Sequence, residues 1–340
     1  MNKPNLSIII PTYNRRLRLQ RVLEALQNQS VPLEQFEVIV ISDGSIDGTN
    51  EYLEEIQARP SLEQPLQLSA IFQANQGVAV ARNQGIKKAR ADLILFLDDD
   101  VIPSPDLVKA HLSFEPRDKI VLGPMLTPRD IKLASWVLWE QRMLEKQYQA
   151  MLAGHWEPTA RQFYTGNTSL YKKYLLKSGG FDPSFRRAED VELAYRLSQM
   201  GCSFVFYPEA EAYHYADRSF LSWNNSAYSY GKNDVIMTRK KGQNWLLPTI
   251  LREYFERNWI IRLLVRLCLS RPILFIPVTS LLTKFASLGD KLGIEKISRY
   301  AYSGVFNLRF YQGIADELGS RKLFWEELDL SFRPIEASKG

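Results

Sequence analysis

Ala91-Asp92-Leu93-Ile94-Leu95-Phe96-Leu97-Asp98-Asp99-Asp100-Val101 decides the fold. The apolar run from Leu93 to Leu97 has the length and flanks of a strand buried on both faces, and it ends in three consecutive carboxylates. Two carboxylates about 4 Å apart repel by roughly 4 kcal/mol at an effective dielectric near 20. A triplet at the mouth of a buried sheet therefore calls for cations, water or protonation. The open carboxyl ends of strands are also where α/β sheets hold ligands. A divalent-metal site presenting a diphosphate leaving group suits that position. A solvated acidic loop, or an Asp cap on a short helix begun at Pro103, suits the residues alone as well.

The flanking chain extends the pattern outward. Residues 7–10 and 36–41 read as buried strands and 66–72 as a third, with helical spacing between them at Leu19, Val22, Leu23 and Leu26. A further helix is expected over 47–56, and Asn75-Gln76-Gly77 opens another. Strand then helix, repeated about every 30 residues, predicts a mostly parallel sheet of βαβ units with helices on both faces. Right-handed crossovers then gather three polar strand ends, at residues 12–14, 42–45 and 98–100, on one edge. Beyond Pro103 the spacing predicts a helix over 136–152, a strand over 163–171 bent at Gly166, a helix over 188–200, and short strands over 203–207 and 210–213. From about Phe220 onward the chain reads as helices. Two domains are expected: 1–220, with halves at about 1–102 and 103–220, and a helical region over 221–340.

Composition narrows the function. Cys202 and Cys268 lie far apart without metal-type spacing, so neither a disulfide framework nor a zinc site follows, and a reducing compartment is expected. The amino end is too short for a signal-peptide core, which points to the cytoplasm. The net charge of +5 conceals a segregation: residues 239–299 hold 12 Lys/Arg against 4 Asp/Glu. That region is also rich in Leu, Ile, Phe and Trp, which argues against nucleic acid as its partner.

Several groups could carry chemistry. Pro11-Thr12-Tyr13-Asn14-Arg15 offers a hydroxyl, a ring and a cation suited to a nucleotide base, although Asn14 is equally suited to capping a helix. Asp43-Gly44 could accept from a base N–H or a ribose hydroxyl; it is also a common turn dipeptide. Asn75, Gly77 and Arg82 suit a phosphate at a helix start. Glu189 and Asp190 either complement a helix dipole or include a general base. His214 is either a structural histidine or, beside a carboxylate-bound cation, a neutral ligand.

Taken in order, these motifs form a family resemblance. Pro11-Thr12-Tyr13-Asn14-Arg15, Asp43-Gly44-Ser45, Asn75-x-Gly77 with Ala81-Arg82-Asn83-x-Gly85, Asp98-Asp99-Asp100, Gly166-Asn167, Gly179-Gly180-Phe181-Asp182, Glu189-Asp190 and His214 resemble the inverting nucleotide-sugar glycosyltransferases of family 2, with the GT-A fold. The likeness covers roughly residues 6–217. It implies that Thr12, Tyr13 and Asp43 hold the nucleotide base and that Arg82 faces ribose or phosphates. Asp98 and Asp99 would face the ribose and diphosphate, with Asp100 a ligand of Mn²⁺ or Mg²⁺ and His214 a second ligand. Asp190 would deprotonate the acceptor hydroxyl beside Glu189, while Gly180, Phe181 and Asp182 line the acceptor side. Ser42 and Glu192 stand where many members carry Asp, and the triple Asp leaves open which carboxylate takes the metal. The expected partners are a nucleotide-sugar donor and a glycan or lipid-linked acceptor in cell-envelope glycan or glycolipid synthesis. The alternatives are a non-catalytic nucleotide-sugar-binding or membrane-interaction module and a nucleotidyltransferase. The last would need a lysine-bearing glycine loop after the first strand, and Pro11 to Arg15 is not one.

In the basic region, Arg262, Arg266 and Ser270 form a narrow polar stripe on an apolar helix. The uncharged run 272–283 is 12 residues long, short of the roughly 20 needed to span a bilayer. The expectation is peripheral contact, through about 245–300, with the inner face of the cell membrane. A buried helical pair with snorkelling arginines is the alternative.

Overall fold

The computed structural model describes residues 3–58, 66–116 and 118–331. The chain divides into two compact units, Met1–Lys132 with Gln141–Ala216, and Leu133–Glu140 with Asp217–Gly340.

The first unit begins β1 (Leu6–Thr12), α1 (Arg16–Gln27), β2 (Phe36–Asp43), α2 (Thr49–Ala58), β3 (Leu68–Gln73), α3 (Val78–Lys88) and β4 (Leu93–Leu97). Every residue of β1 and β2 is buried, as expected of parallel strands covered on both faces. Helix α1 turns Leu19, Val22, Leu23 and Leu26 inward. The chain continues through β5 (Val101–Pro103), α4 (Leu107–Ser113), β6 (Ile120–Leu122), β7 (Met125–Leu126), α5 (Ser135–Leu152), β8 (Asn167–Tyr171), α6 (Lys172–Ser178), α7 (Glu189–Gln199), β9 (Phe204–Phe206) and β10 (Ala212–His214).

The strands make one seven-stranded sheet in the order β3-β2-β1-β4-β8-β6-β9 and a three-stranded sheet in the order β5-β10-β7. The first four strands of the large sheet are parallel. Strand β8 then pairs antiparallel with β4, in a register that sets Asn167 opposite Leu97, just before the acidic triplet. In the small sheet β10 runs antiparallel to β5, with His214 opposite Val101, just after that triplet. The sheet pairings thus bracket Asp98–Asp100 from both sides. Residue 163 to 166 stay outside β8, because the chain makes a 3₁₀ turn at Ala160–Gln162 before the strand begins.

Glu37 places a charge inside the sheet. Glu37 accepts from Ser7 Oγ at 2.6 Å, from the Arg90 amide at 2.7 Å and from Arg90 Nε at 2.7 Å. Burial alone would raise its pKa, but these hydrogen bonds and the guanidinium hold it below the usual carboxylate range.

The second unit is helical throughout its described residues: the first residues of α5, then α8 (Phe220–Lys240), α9 (Leu246–Glu256), α10 (Trp259–Cys268), α11 (Pro272–Lys291), α12 (Glu295–Leu318) and α13 (Arg321–Leu330). Trp223, Ala286, Ala301, Tyr302 and Val305 form a core, with Trp136, Trp139, Phe220, Leu282 and Phe306 packed against it. Helix α11 runs well past the uncharged stretch, because a single Lys284 does not interrupt it. By length and composition it is long and apolar enough to cross a membrane. Helices α8 and α12 cross at two glycines. A Cβ on Gly231 would collide with the Phe310 carbonyl, and one on Gly313 with the Tyr228 carbonyl.

Neither obstacle is a flexible side chain, so Gly313→Ala must push two backbones apart. We expect it to destabilise the protein by about 1–3 kcal/mol, the usual range for overpacking, or more. Thermal denaturation should register a lower Tm, whereas Gly242→Ala, in open space at φ +73°, would incur only the strain of that backbone conformation.

Candidate active site

The carboxyl ends of β1, β2 and β4 each deliver one polar loop. At the end of β1, Tyr13 is 48% exposed. Asn14, with φ +53°, accepts from the Ile46 amide at 2.8 Å and donates its own amide to Ser45 Oγ at 3.1 Å. The first loop is thereby stitched to the one after β2. Pro11 lies within β1 itself, opposite Ile41. At the end of β2, Asp43 accepts from Gln73 Nε2 at 2.7 Å and from the amides of Gln76 and Gly77, both at 2.8 Å. Asn75 Nδ2 donates to the Asp43 carbonyl at 3.0 Å. Asp43 therefore shapes the loop that carries Asn75 and Gly77 into α3. Ser42 Oγ donates to Asn50 Oδ1 at 2.6 Å.

The acidic triplet is met by cations from three directions. Arg82, buried on α3, donates from Nη2 to Asp98 at 2.9 Å and from Nη1 to Glu189 at 2.6 Å, and its guanidinium stacks over the Phe181 ring. Arg15 donates from Nη1 to Asp99 at 3.0 Å and to Asp100 at 2.6 Å. Arg18 lies 3.6 Å from the same Asp100 oxygen. His214 Nε2 faces the other oxygen of Asp100 at 3.6 Å, and its Nδ1 is 2.7 Å from Gln141 Nε2.

Burial drives the titration of these groups. It raises the Asp99 carboxyl, and its neighbours Asp100 and Asp98 push the same way against Arg15. Burial would raise Asp100 too, but His214, Arg15 and Arg18 outweigh it and hold its pKa below the usual value. Asp190 stands one residue beyond Glu189 in the first turn of α7 and is half-buried. Desolvation and the Glu189 charge lift its pKa to about 7, against the opposing pull of Arg82.

On the far side of Arg82, Gly180 and Phe181 are held by Asn83, which donates to the Phe181 carbonyl at 2.8 Å and accepts from its amide at 2.9 Å. The Phe181 ring packs edge-on against Phe96 of β4, with centroids 5.3 Å apart. Asp182 accepts from the Ser184 amide at 2.9 Å. Glu192 is paired with Arg196 in its own helix at 2.6 Å.

The structure thus brings Arg15, Asp98, Asp99, Asp100 and His214 together, and joins Arg82, Asp98 and Glu189 in one buried network. Among the described residues no cluster of three or more His, Cys, Asp or Glu side chains converges as a ready-made metal cage. The donor set suits a cation that shares its coordination with a substrate: one carboxylate and one imidazole nitrogen face each other without a hydrogen bond. Magnesium-type ions are commonly held by one or two protein groups plus phosphate oxygens and water. Sequence reasoning missed Arg18 and Gln141, and gave Asn83 no role beyond its place in the Ala81-Arg82-Asn83-x-Gly85 motif. Gln141 carried no signal, because it lies among the other polar residues of α5, Glu140, Arg142, Glu145 and Lys146.

Residues 7–180 match the model of the family described as glycosyl transferase family 2. A validoxylamine A glucosyltransferase of Streptomyces hygroscopicus subsp. jinggangensis is 34% identical over 227 residues, 58% of this chain and 52% of that protein. A hyaluronan synthase of Pasteurella multocida is 30% identical over 243 residues, 62% of this chain and 24% of that protein. The chain therefore spans about half the length of the first relative and less of the second. Among solved structures, the mannosyltransferase PcManGT of Pyrobaculum calidifontis, in complex with GDP-Man and Mn²⁺, aligns with a TM-score of 0.58 at 17% identity, over 94% of this chain and 88% of that one. Staphylococcus aureus TarS 1–349 in complex with UDP-GlcNAc aligns with a TM-score of 0.56 at 18% identity, over 90% of each chain. These two likenesses concern the fold, a mostly parallel GT-A type sheet with a helical carboxy-terminal region. With the matched segment running from β1 to the loop after α6, the chain belongs to glycosyl transferase family 2.

Proposed function

We propose that the protein is an inverting transferase that moves a sugar from a nucleoside-diphosphate sugar to an acceptor hydroxyl. The observation that carries this reading is Arg82, whose one buried guanidinium ties the acidic end of β4 to the head of α7. A donor held at Asp98 to Asp100 and an acceptor held near Asp190 would then lie on either side of a fixed cation.

Pro11, Thr12, Tyr13, Asn14 and Asp43, with Asn75 and Gly77, form the nucleotide side. Asp98 and Asp99 face the donor, and Gly180, Phe181 and Asp182 the acceptor. Asp100 and His214 would hold Mn²⁺ or Mg²⁺, which when bound stabilises charge developing on a departing diphosphate. Arg15 and Arg18, beside Asp100, add positive charge to the same face. Asp190 accepts the proton of the attacking hydroxyl, with Glu189 fixed by Arg82 at its side. A carboxyl with a pKa near 7 is a stronger base than an ordinary aspartate and is half ionised at neutral pH. The relatives' printed names, a validoxylamine A glucosyltransferase and a hyaluronan synthase, support transfer of a sugar to an acceptor.

A membrane-linked acceptor fits the helical unit. Helix α10 leaves Trp259 64% exposed, with Ile260, Leu263 and Leu267 open beside it, and α11 leaves Ile273 87% exposed, with Ile276, Leu281, Phe285 and Leu288. These apolar faces lie in the segment with the lysine and arginine excess, where each cation near an anionic leaflet contributes about 1 kcal/mol. The occupant we assign to them is the anionic inner face of the cell membrane, contacted peripherally from the cytoplasm.

Three outcomes follow. A thermal-shift screen of nucleotide sugars with and without Mn²⁺ should find a donor that raises Tm more with the metal; at 100 times its Kd a ligand stabilises by about 2.7 kcal/mol. No stabilisation by any nucleotide sugar would remove the reading. Asp190→Asn should lower kcat by about 10²–10⁴ with KM little changed, and the wild-type rate should rise with pH through about 7. Because the folded state holds that proton up to about pH 7 and the unfolded chain releases it near pH 4, Asp190 costs stability increasingly across this window. The Asn variant should therefore gain Tm over wild type as pH rises. Finally, the protein should float with phosphatidylglycerol vesicles at low salt and less at high salt, and Trp259→Glu with Ile273→Glu should abolish flotation. Resistance to alkaline carbonate would indicate a spanning α11, and concentration-dependent dimers without flotation would assign the apolar faces to a second copy.

A further inference from the structure

Beside His214 lies a buried polar side chain to which the mechanism gives no task. Gln141 on α5 is 2% exposed, its amide nitrogen lies 2.7 Å from His214 Nδ1, and its Oε1 is buried with no hydrogen-bond partner. Leaving such an oxygen unpaired is costly, and a leucine or methionine would fill the same space without that penalty. The ring it touches is itself held in place: His214 sits on β10 opposite Val101, and the next amide, Tyr215, donates to the Asp100 carbonyl at 2.8 Å. The one adjustable feature of this imidazole is which nitrogen carries its proton.

We propose that Gln141 is a positioning residue that sets the tautomer of His214 and so turns Nε2 into a lone-pair donor toward Asp100 when a divalent cation binds; this rests on the reading of Asp100 and His214 as metal ligands. With the amide nitrogen donating to Nδ1, the neutral ring carries its proton on Nε2, directed at the Asp100 carboxylate 3.6 Å away. With the amide turned by half a rotation, Oε1 accepts from Nδ1–H and Nε2 is bare. A primary amide can do both, because it presents a donor and an acceptor of nearly the same size. A carboxylate at this position could only accept, and would hold the Nδ1–H form in both states. An aliphatic side chain would hold neither. Partners on the second ring nitrogen commonly orient ligating histidines, and their removal typically costs 10–100-fold in metal affinity.

The test combines ring spectroscopy with metal affinity. The chain has 3 histidines, so long-range ¹⁵N–¹H spectra of the imidazoles are readily assigned. His111, buried between Ser169 Oγ and Asn167 Oδ1, serves as an internal reference. In wild type, Mg²⁺ should move His214 from the Nε2–H to the Nδ1–H form while His111 stays unchanged. Gln141→Glu should show the Nδ1–H form with or without Mg²⁺ and bind Mn²⁺ within a few-fold of wild type. Gln141→Leu should show mixed tautomers and bind Mn²⁺ about 10–100-fold more weakly, at a Tm near that of wild type. A Gln141→Leu protein with wild-type tautomer response and wild-type Mn²⁺ affinity would reduce Gln141 to a packing residue and overturn the proposal. His214→Ala separates the two ideas. If it binds Mn²⁺ like wild type, the ligand assignment fails and the proposal falls with it. If it loses Mn²⁺ while Gln141→Leu does not, the ligand assignment stands and only the part given to Gln141 is overturned.

Discussion

Concentrated negative charge at the end of a buried strand is the constraint to which the sheet unit answers. Asp99 and Asp100 are nearly inaccessible to water, and Asp98 has 36% of its side chain exposed, so solvent relieves only part of their mutual repulsion. Leaving a charge unpaired in a protein interior costs several kcal/mol. The relief comes from cations carried by separate elements, Arg15 from the loop after β1, Arg18 from α1 and Arg82 from α3, with the imidazole of His214 placed beside them by β10. Each must be delivered to within a few ångströms, which requires the parallel order of β1 and β4 and the antiparallel return of β10 beside β5. Burial, together with the neighbouring Glu189 charge, raises the pKa of Asp190. An acid pushed toward neutrality by its surroundings is less stable as an ion and a better acceptor of protons.

How much of this was readable from the residues alone depends on the range of the interaction. Strands β1, β2, β3 and β4 and helix α1 announce themselves through local periodicity, and their parallel pairing follows from the intervening helices. The antiparallel insertion of β8 between β4 and β6 does not, because five residues such as Asn167–Tyr171 carry no local mark of their partner. Strands β5, β6 and β7, of two or three residues each, are made by pairing and have no sequence period to detect. In the site, the acidic triplet and its motifs were visible, yet what each group touches was not. Arg82, expected to face ribose or phosphates, is engaged by Asp98 and Glu189, the latter 107 positions along the chain. Gln141 and His214 are 73 positions apart, and only the tertiary fold makes them neighbours. In the helical unit an uncharged run was legible, but the length of α11 was not, because helix ends depend on caps and packing as well as on charge.

Asp43 carries a consequence of a different kind. A carboxylate has about four acceptor directions, and here the side chain of Gln73 and the main-chain amides of Gln76 and Gly77 use three of them. The vacant direction lies on the oxygen that meets Gly77, and its aim is set by the loop that holds the other three. Whatever docks there must arrive bearing a hydrogen, since a bare lone pair would be repelled. Two ligands of identical outline that differ only in the protonation of a single ring atom would therefore be told apart at this position, without any difference in shape for the protein to sense.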